Sequence, residues 1–375
     1  MKFIHISDLH LGKRLKEFSL IEDQNYILKQ ILTIVKEEKP DGVLIAGDVY
    51  DRSVPSEEAM QLWDSFLVRL AELKVPVYAI SGNHDSSVRF SDHGQLVETT
   101  GIHLSPVYNG TVKKYSCSGS CGEVNIYLLP FIKPASVRPA FPDEEIVTYT
   151  DACRVAIEHM DVDTSKINIL VAHQFVTGAE RCDSEEVSVG GLDNVDVSVF
   201  DPFDYVALGH IHGKQHMGRK TVRYCGTPLK YSFSEKDHTK TVTVVEIGGK
   251  DSIDIREIPL KPMHDLREIR GSYNELMSKD FYEGTDTRDY IRAVLTDEEE
   301  IIDGMAKLRI VYPNIMYLEY DNRRTQSDSS VSDAERVEEK SPLELFEEFY
   351  EKQNNQPLSS EQHEFITGLI GDIWG

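Results

Sequence analysis

The first part of the chain alternates between short apolar runs and longer stretches in which apolar residues recur every three or four positions. The short runs are rich in Val and Ile, as buried strands are, and lie at residues 3–6, 43–46, 77–80, 167–172 and 205–208. Residues 21–38 and 56–73 have the periodicity of amphipathic helices, and Ser56 is suited to cap the second. Strands that alternate with helices predict parallel neighbours in a sheet.

Further apolar runs extend the strand count, at residues 128–130, 222–225 and 242–247. Pro259 and Pro262 mark a predicted boundary, after which a smaller α/β pattern begins. Its predicted strands are 266–269, 290–295 and 315–320, with helices near 273–277 and 301–312. The chain is therefore predicted to contain four parts: a main α/β domain at 1–260, a small α/β domain at 261–321, a polar Ser-rich linker at 322–340 and two helices within 341–375.

The two C-terminal helices carry strong start signals. Ser341 and Glu344 form one predicted capping box, with Pro342 at the first helical position, and Ser359 and Gln362 form the other. Each helix has one apolar face, made of Leu343, Phe346, Phe349 and Tyr350 in the first and of Phe365, Ile366, Leu369, Ile370, Ile373 and Trp374 in the second. We expect these helices to dock into a groove of a partner protein. The alternative is that they pack back on their own domain.

Charge and cysteine content bear on nucleic-acid binding and on the cellular compartment. The 375 residues carry a net charge of −24, and residues 321–375 contribute 13 acidic against 5 basic side chains. The chain alone is therefore not expected to bind the phosphates of nucleic acid strongly. Apolar stretches stay well short of the ~20 residues that span a bilayer, so no membrane segment is expected. An odd number of cysteines, five, favours reduced thiols and a cytoplasmic location.

Polar residues that can bind metals follow the five apolar runs at residues 3–6, 43–46, 77–80, 167–172 and 205–208. In chain order they are Asp8, His10, Asp48, Asn83, His173, His210 and His212. Ligands collect at the carboxyl ends of strands in α/β sheets. Two divalent metals ~3.5–4 Å apart can hold both reacting oxygens of a phosphoester. Asp can bridge such a pair, and imidazole suits manganese, iron and zinc. A single motif of this kind is more often a turn or a core histidine; five in order predict a dimetal site.

This ordered set resembles the calcineurin-like metallophosphoesterase family. The segments at residues 3–12 and 46–51, and Gly226-Thr227-Pro228-Leu229-Lys230-Tyr231-Ser232-Phe233-Ser234-Glu235, are similar to the SbcD branch, bacterial relatives of the Mre-type DNA repair nucleases. The resemblance implies a β-sandwich flanked by helices. It implies one metal on Asp8, His10 and His212, a second on Asn83, His173 and His210, and Asp48 as the bridge. It further implies that His84 is catalytic and faces the substrate, oriented by Asp85.

The activity that the resemblance implies is a manganese-dependent DNA nuclease with 3′–5′ exonuclease action on duplexes and endonuclease action on hairpins or single strands. It implies a homodimer, paired through residues 56–73 and 86–98, that works in DNA repair with an ATP-hydrolysing coiled-coil partner of the SbcC type. The small domain would then be a capping domain over DNA, or a cover for apolar sheet surface. Another phosphodiesterase or phosphatase and a non-catalytic scaffold are the alternatives.

Four basic residues flank the metal motifs in the sequence, namely Lys13, Arg14, Arg52 and Arg89. They are candidates for DNA phosphate contacts, and the alternative for each is a solvated surface charge.

Overall fold

The computed structural model describes residues 1–92, 94–119, 121–185, 194–322, 325, 341–354 and 356–374. The predicted linker lies outside the described residues apart from Asn322 and Thr325, and so do the side chains of Ile373 and Trp374. The chain divides into two compact units, Met1–Asp265 and Leu266–Gly375. The four-part division expected from the sequence stays a prediction.

The first unit is built from strands and helices in alternation. Its strands are β1 (Lys2–Ile6), β2 (Arg14–Leu15), β3 (Phe18–Ser19), β4 (Gly42–Ala46), β5 (Val77–Ile80), β6 (Ile102–Leu104), β7 (Lys113–Gly119), β8 (Gly122–Leu129), β9 (Ile167–His173), β10 (Phe175–Val176), β11 (Asn194–Val195), β12 (Tyr205–Gly209), β13 (Gln215–His216), β14 (Val222–Tyr224), β15 (Thr241–Gly249) and β16 (Ser252–Pro259). Its helices are α1 (Ile21–Glu38), α2 (Glu57–Glu72), α3 (Ser87–Ser91), α4 (Gly94–Glu98), α5 (Pro134–Val137) and α6 (Tyr149–Glu158), with 3-10 turns at Val197–Phe200 and Phe233–Glu235.

Two mixed sheets pack face to face in this unit. The first has the order β16-β15-β1-β4-β5-β6 and the second the order β13-β14-β12-β9-β8-β7. The strands β1, β4, β5 and β6 run parallel, as do β8, β9, β12 and β14. Apolar side chains from both sheets, such as Leu44, Ile80, Val171 and Ala207, form one buried core between them. The predicted α/β sandwich flanked by helices is confirmed.

Local sequence signals account for the helices that connect the parallel strands. The helix α1 has the bounds that the apolar periodicity predicts, and it ends where Lys39 takes a left-handed conformation with φ of 49°. Ser56 caps α2, since its side chain accepts a hydrogen bond from the Ala59 amide. On α2, Trp63 and Phe66 are buried in the unit, whereas Met60 is exposed. Both aromatic side chains therefore belong to the core of this unit.

The second unit contains a small parallel sheet of β17 (Leu266–Gly271), β18 (Tyr290–Leu295) and β19 (Ile315–Tyr320), with α7 (Tyr273–Leu276), α8 (Lys279–Tyr282) and α9 (Gly304–Leu308). Ile269, Leu276, Ile291 and Leu308 lie in its buried core. The helix predicted at 301–312 is shorter in the structure. Asp303, with φ of 54°, precedes its first turn, and Pro313 disfavours helical backbone at the residue before it.

Two helices end the chain, α10 (Pro342–Asn354) and α11 (Ser360–Trp374). Both predicted capping boxes form. The Ser341 amide donates to Glu344 Oε2 at 2.7 Å, and the Ser359 amide donates to Gln362 Oε1 at 2.9 Å. The helices contact each other through Tyr350 and Gln362. Phe349, Phe365 and Leu369 remain exposed by 61%, 68% and 46%. Among the helices that the structure describes, none is both long and apolar enough to cross a bilayer.

Candidate dimetal centre

The carboxyl ends of β1, β4, β5, β9 and β12 meet at one edge of the sandwich. Backbone hydrogen bonds hold the loops after β1 and β4 together, because the amides of Asp8 and His10 donate to the carbonyls of Gly47 and Asp48 at 3.0 Å. The loops from both sheets therefore deliver polar side chains to the same place. All seven predicted donors lie in this cluster.

The backbone at the site is strained in a way that aims these side chains. Asp8, His10, Asp48 and His210 all have positive φ, at 53°, 44°, 48° and 102°. A conformation of this kind costs ~1–3 kcal/mol for a residue with a Cβ and persists where the surroundings enforce it. Such strain clusters at functional sites, which supports a functional role for the loops after the strands.

Glycines let the loops approach closely. A Cβ added at Gly82 would lie 2.1 Å from Asp48 Oδ1, and one added at Gly209 would lie 1.8 Å from the carbonyl oxygen of Ala46. At Gly47 a Cβ would lie 2.5 Å from His173 Nδ1. Each of these three positions therefore has no room for a Cβ, and only glycine fits there.

The first group of donors consists of Asp8, His10 and His212, whose donor atoms lie within 4.8 Å of one another. The Nε2 atoms of His10 and His212 are 3.2 Å apart. Asp8 is held by Ser7, which donates to Oδ2 at 2.5 Å, and by the amide of His210. Burial raises the pKa of Asp8, because its carboxylate is fully shielded from solvent by the protein.

The second group consists of Asn83, His173 and His210. Asn83 Oδ1 lies 2.9 Å from both His173 Nε2 and His210 Nδ1, so an oxygen and two imidazole nitrogens converge. His173 Nδ1 donates to the carbonyl of Ala46 at 2.7 Å, which leaves Nε2 to face the group. Burial lowers the pKa of His210 to about 3, so its ring is neutral, as a ligand must be.

Asp48 lies between the two groups. Its Oδ2 is 3.3 Å from His173 Nε2 and 3.8 Å from His10 Nε2, while its Oδ1 accepts from the amide of His84 at 2.9 Å. Burial acts to raise the pKa of Asp48, but the attraction and hydrogen bond of His173 outweigh it and hold the pKa well below its usual range. The same pairing raises the pKa of His173 to about 9, against the effect of burial.

The donor set fits divalent cations. Two buried carboxylates, an amide oxygen and four imidazoles are the ligands that manganese, iron or zinc accept. The two carboxylates are almost without solvent, so their charge needs a nearby positive partner. A pair of divalent ions would supply that charge. The site is thus suited to divalent metals.

His84 lies at the open side of the cluster. Its side chain is 14% exposed, and its Nε2 is 3.9 Å from Asp48 Oδ2. The ring is oriented by the carbonyl of Asp51, which lies 3.0 Å from Nδ1. With that carbonyl as acceptor, Nδ1 carries the proton and Nε2 faces the site.

The prediction that Asp85 orients His84 is wrong. Asp85 instead accepts hydrogen bonds from the amides of Gly82, Tyr50 and Val49, at 2.9, 2.9 and 3.1 Å. It therefore ties the loop after β5 to the loop after β4. Burial and the charge of Asp48 raise the pKa of Asp85 to about 6, and the three amides only partly offset this.

The predicted DNA contacts have different surroundings. Lys13 lies beside the cluster, with Nζ 2.8 Å from Asp51 Oδ1. Arg52 is 81% exposed in the same loop. Arg14 lies on the hairpin of β2 and β3, where its guanidinium donates to the Glu17 carbonyl, and Arg89 is exposed on α3. A role in DNA binding stays a prediction for all four.

Sequence reasoning missed the residues that surround His212. Ser184 Oγ lies 2.7 Å from His212 Nδ1, and Glu185 accepts from the His212 amide at 2.6 Å. Glu235 and Lys240 lie behind them, both buried. Glu235 closes the segment that carries the resemblance to the SbcD branch, and that was the one signal for it; Ser184, Glu185 and Lys240 gave none.

Comparison with known proteins also indicates a phosphoesterase. Residues 1–214 match the family model of calcineurin-like phosphoesterases, and residues 262–354 match the SbcD C-terminal model, described as a type 5 capsule protein repressor C-terminal domain. The D subunit of the SbcCD nuclease of Staphylococcus epidermidis is 34% identical over 377 residues, which cover 100% of this chain and 99% of that protein.

Two solved structures that match the chain share little sequence with it. A dimetal phosphatase from Danio rerio is 11% identical with a TM-score of 0.44, over 70% of this chain and 98% of its own. The TT1561 protein of Thermus thermophilus is 11% identical with a TM-score of 0.41, over 68% and 98%.

The sandwich and its cluster of histidines and carboxylates define a metal-dependent phosphoesterase. The chain belongs to the calcineurin-like phosphoesterase family and, within it, to the SbcD branch.

Proposed function

We propose that this protein is a manganese-dependent DNA nuclease, with 3′–5′ exonuclease action on duplex ends and endonuclease action on hairpins or single strands. The observation that carries the proposal is the convergence of seven side chains that can bind metal, with Asp48 Oδ2 within 3.8 Å of donors from both groups. The similarity to a named nuclease component over the full length supports DNA as the substrate.

Asp8, His10 and His212 would hold one ion, and Asn83, His173 and His210 the other, with Asp48 shared. When bound, the two ions would supply Lewis-acid activation of water and would neutralise charge on the phosphate. Manganese fits this mixture of imidazole and oxygen donors better than magnesium does.

His84 would act on the substrate. Because Nδ1 is held by the Asp51 carbonyl at 3.0 Å, Nε2 is the atom that can exchange a proton with the leaving oxygen. The ring is more accessible than those of His10 and His173, which are buried, and this suits a group that must meet the DNA. Lys13 and Arg52, on either side of Asp51, would contact neighbouring phosphates.

The C-terminal helices would dock on a coiled-coil ATPase of the SbcC type. Phe349, Phe365 and Leu369 are apolar and exposed on helices with complete capping boxes. Burial of such a side chain stabilises a complex by ~1.5–3 kcal/mol before the cost of ordering. Hydrolysis of ATP would then come from the partner. Residues 261–321 would form the capping domain over the DNA.

We further propose a homodimer that works in the cytoplasm. In the predicted pairing region, Met60, Val88 and Leu96 are exposed by 38%, 67% and 69%. These positions, rather than the buried Trp63, would face the second copy. All five cysteines are free thiols, in keeping with a reducing compartment. Light scattering at micromolar concentration should give twice the mass of the chain, and Leu96→Asp should reduce it.

Parallel assays on a labelled DNA hairpin, a blunt duplex and a small chromogenic phosphodiester test the activity. Each substrate should be incubated with Mn²⁺, with Mg²⁺ and with chelator. We expect cleavage of both DNAs with Mn²⁺ and none with chelator. Hydrolysis of the small diester without cleavage of DNA would favour another phosphodiesterase. Failure to hydrolyse any of the three substrates would favour a non-catalytic scaffold.

A further inference from the structure

A chain of hydrogen bonds lies on the Nδ1 side of the His212 ring. It runs from His212 through Ser184 and Glu235 to Lys240, and the last two side chains are 0% and 7% exposed. We propose that Ser184, Glu235 and Lys240 form a relay that sets the tautomer of His212. The relay keeps Nε2 without a proton and so ready to bind a metal ion. It rests on the proposed role of His212 as a metal ligand.

Lys240 anchors the relay as a cation. Its Nζ contacts three acceptors, namely the His212 carbonyl at 2.9 Å, Thr227 Oγ1 at 2.7 Å and Glu235 Oε2. An ammonium group has three N–H bonds, so each one has a partner. A cation in this position keeps its neighbour Glu235 as a carboxylate, which is acceptor-only.

Glu235 in turn dictates the direction of the Ser184 hydroxyl. Glu235 Oε1 accepts from the Tyr231 amide at 3.1 Å and lies 2.7 Å from Ser184 Oγ. Since the carboxylate cannot donate, Ser184 must give its one proton to Glu235. The Ser184 oxygen then has only lone pairs to offer His212 Nδ1, which lies 2.7 Å away. Nδ1 therefore carries the proton.

The bare Nε2 is the atom that faces the site. It lies 3.2 Å from His10 Nε2, in the first group of donors. The backbone of His212 is held as well, because its amide donates to Glu185 Oε1 at 2.6 Å and its carbonyl accepts from Lys240. His173 Nδ1 donates to a backbone carbonyl, whose role as acceptor cannot change. The His212 relay is made of side chains, so one substitution can reverse it.

Glu235→Gln is the reversing substitution. The amide oxygen would turn to Lys240 and the NH₂ group to Ser184, with loss of the hydrogen bond that Oε1 accepts from the Tyr231 amide. Ser184 would then donate to His212 Nδ1. The proton of His212 would move to Nε2. We expect the affinity for one of the two Mn²⁺ ions to fall by ~10–100-fold, the usual effect of removing an outer partner of a histidine ligand. The second ion should bind as in the wild type.

Two measurements separate this effect from general damage. Manganese titration followed by electron paramagnetic resonance gives the two affinities. Nitrogen-15 shifts of the histidine rings in the metal-free protein report which nitrogen carries the proton, with His212 assigned by loss of its signal in His212→Ala. Glu257→Gln is the matched control, since Glu257 is also paired with cations, Lys214 and Arg223, and lies outside the relay. It should change neither readout.

Ser184→Ala and Ser184→Thr test the middle of the relay without altering a buried charge. Alanine removes the hydroxyl and should lower the affinity for one Mn²⁺ ion by ~10-fold. Threonine keeps the hydroxyl and should bind both ions as the wild type does. Ser184→Ala decides the question if Glu235→Gln does not fold. Wild-type manganese affinity together with a proton on Nδ1 in a folded variant would overturn the relay. Wild-type binding of both ions by His212→Ala would instead overturn the ligand assignment.

Discussion

Gly209→Ala tests whether the close approach of the two sheets builds the site. Gly209 ends β12, and it has no positive φ that would penalise alanine. The added methyl would lie 1.8 Å from the Ala46 carbonyl oxygen, 2.9 Å from the Ala46 carbonyl carbon and 2.8 Å from His173 Nδ1. Two of these neighbours are backbone atoms, which cannot move away by rotation of a side chain. The ends of β4 and β12 must therefore separate.

The size of the separation sets the expected loss. Since real Cβ atoms essentially never approach other atoms within 3.0 Å, the strands must move apart by roughly 1.2 Å. A misplacement of ~1 Å can cost ~10²-fold in rate. The Ala46 carbonyl also accepts the His173 Nδ1 proton at 2.7 Å, so the same shift releases a histidine of the second group. Overpacking should in addition destabilise the unit by ~1–3 kcal/mol.

The assay combines manganese-dependent cleavage of a DNA hairpin with thermal melting. We expect kcat/KM to fall by at least ~10²-fold while the chain still melts cooperatively. Gly249→Ala is the matched control, because a Cβ there meets nothing within 4 Å. Full activity and an unchanged melting temperature in Gly209→Ala would refute the reasoning, since the contact would then have been relieved without moving the site.

Three further perturbations test other parts of the molecule. Asp48→Ala should lose both manganese ions and all cleavage, because one carboxylate oxygen lies near donors of both groups; two ions bound at wild-type affinity by titration would contradict this. His84→Ala should bind metal as the wild type does while cleavage falls by ~10²–10⁴-fold, the usual worth of a positioned acid or base; a wild-type rate would rule the role out. A chain truncated after Asp321 should keep its melting temperature and its manganese-dependent cleavage but fail to co-elute with the coiled-coil ATPase. Undiminished co-elution would reject docking by α10 and α11, and a collapsed melting temperature would mean that they pack on their own domain.

Much of the site could be predicted because its parts are local. Each donor follows an apolar run directly, so the strand and the residue that it delivers lie next to each other in the sequence. The bounds of α1, β5 and β18 and both C-terminal capping boxes were predictable for the same reason, since periodicity and caps act within one or two turns.

Errors arose where a side chain had a choice of partners. Asp85 and His84 are adjacent, which suggested a direct contact, yet Asp85 binds backbone amides and His84 binds the Asp51 carbonyl. Elsewhere the sequence left two outcomes open: Trp63 and Met60 both belong to the apolar pattern of α2, but one is buried and the other exposed. Periodicity identifies the apolar face of a helix, but it does not show how much of that face the rest of the protein buries.

The sequence by itself determined the elements, the kinds of metal donor and their order along the chain, because propensity, capping and apolar period depend on near neighbours. Only the tertiary structure decided which donors lie close together and how each ring is held. Ser184 and Glu235 are 28 and 23 residues away from His212 in the chain and meet it only in the folded unit. Hydrogen bonds of that kind depend on distances of a few tenths of an ångström, which packing sets and residue order does not.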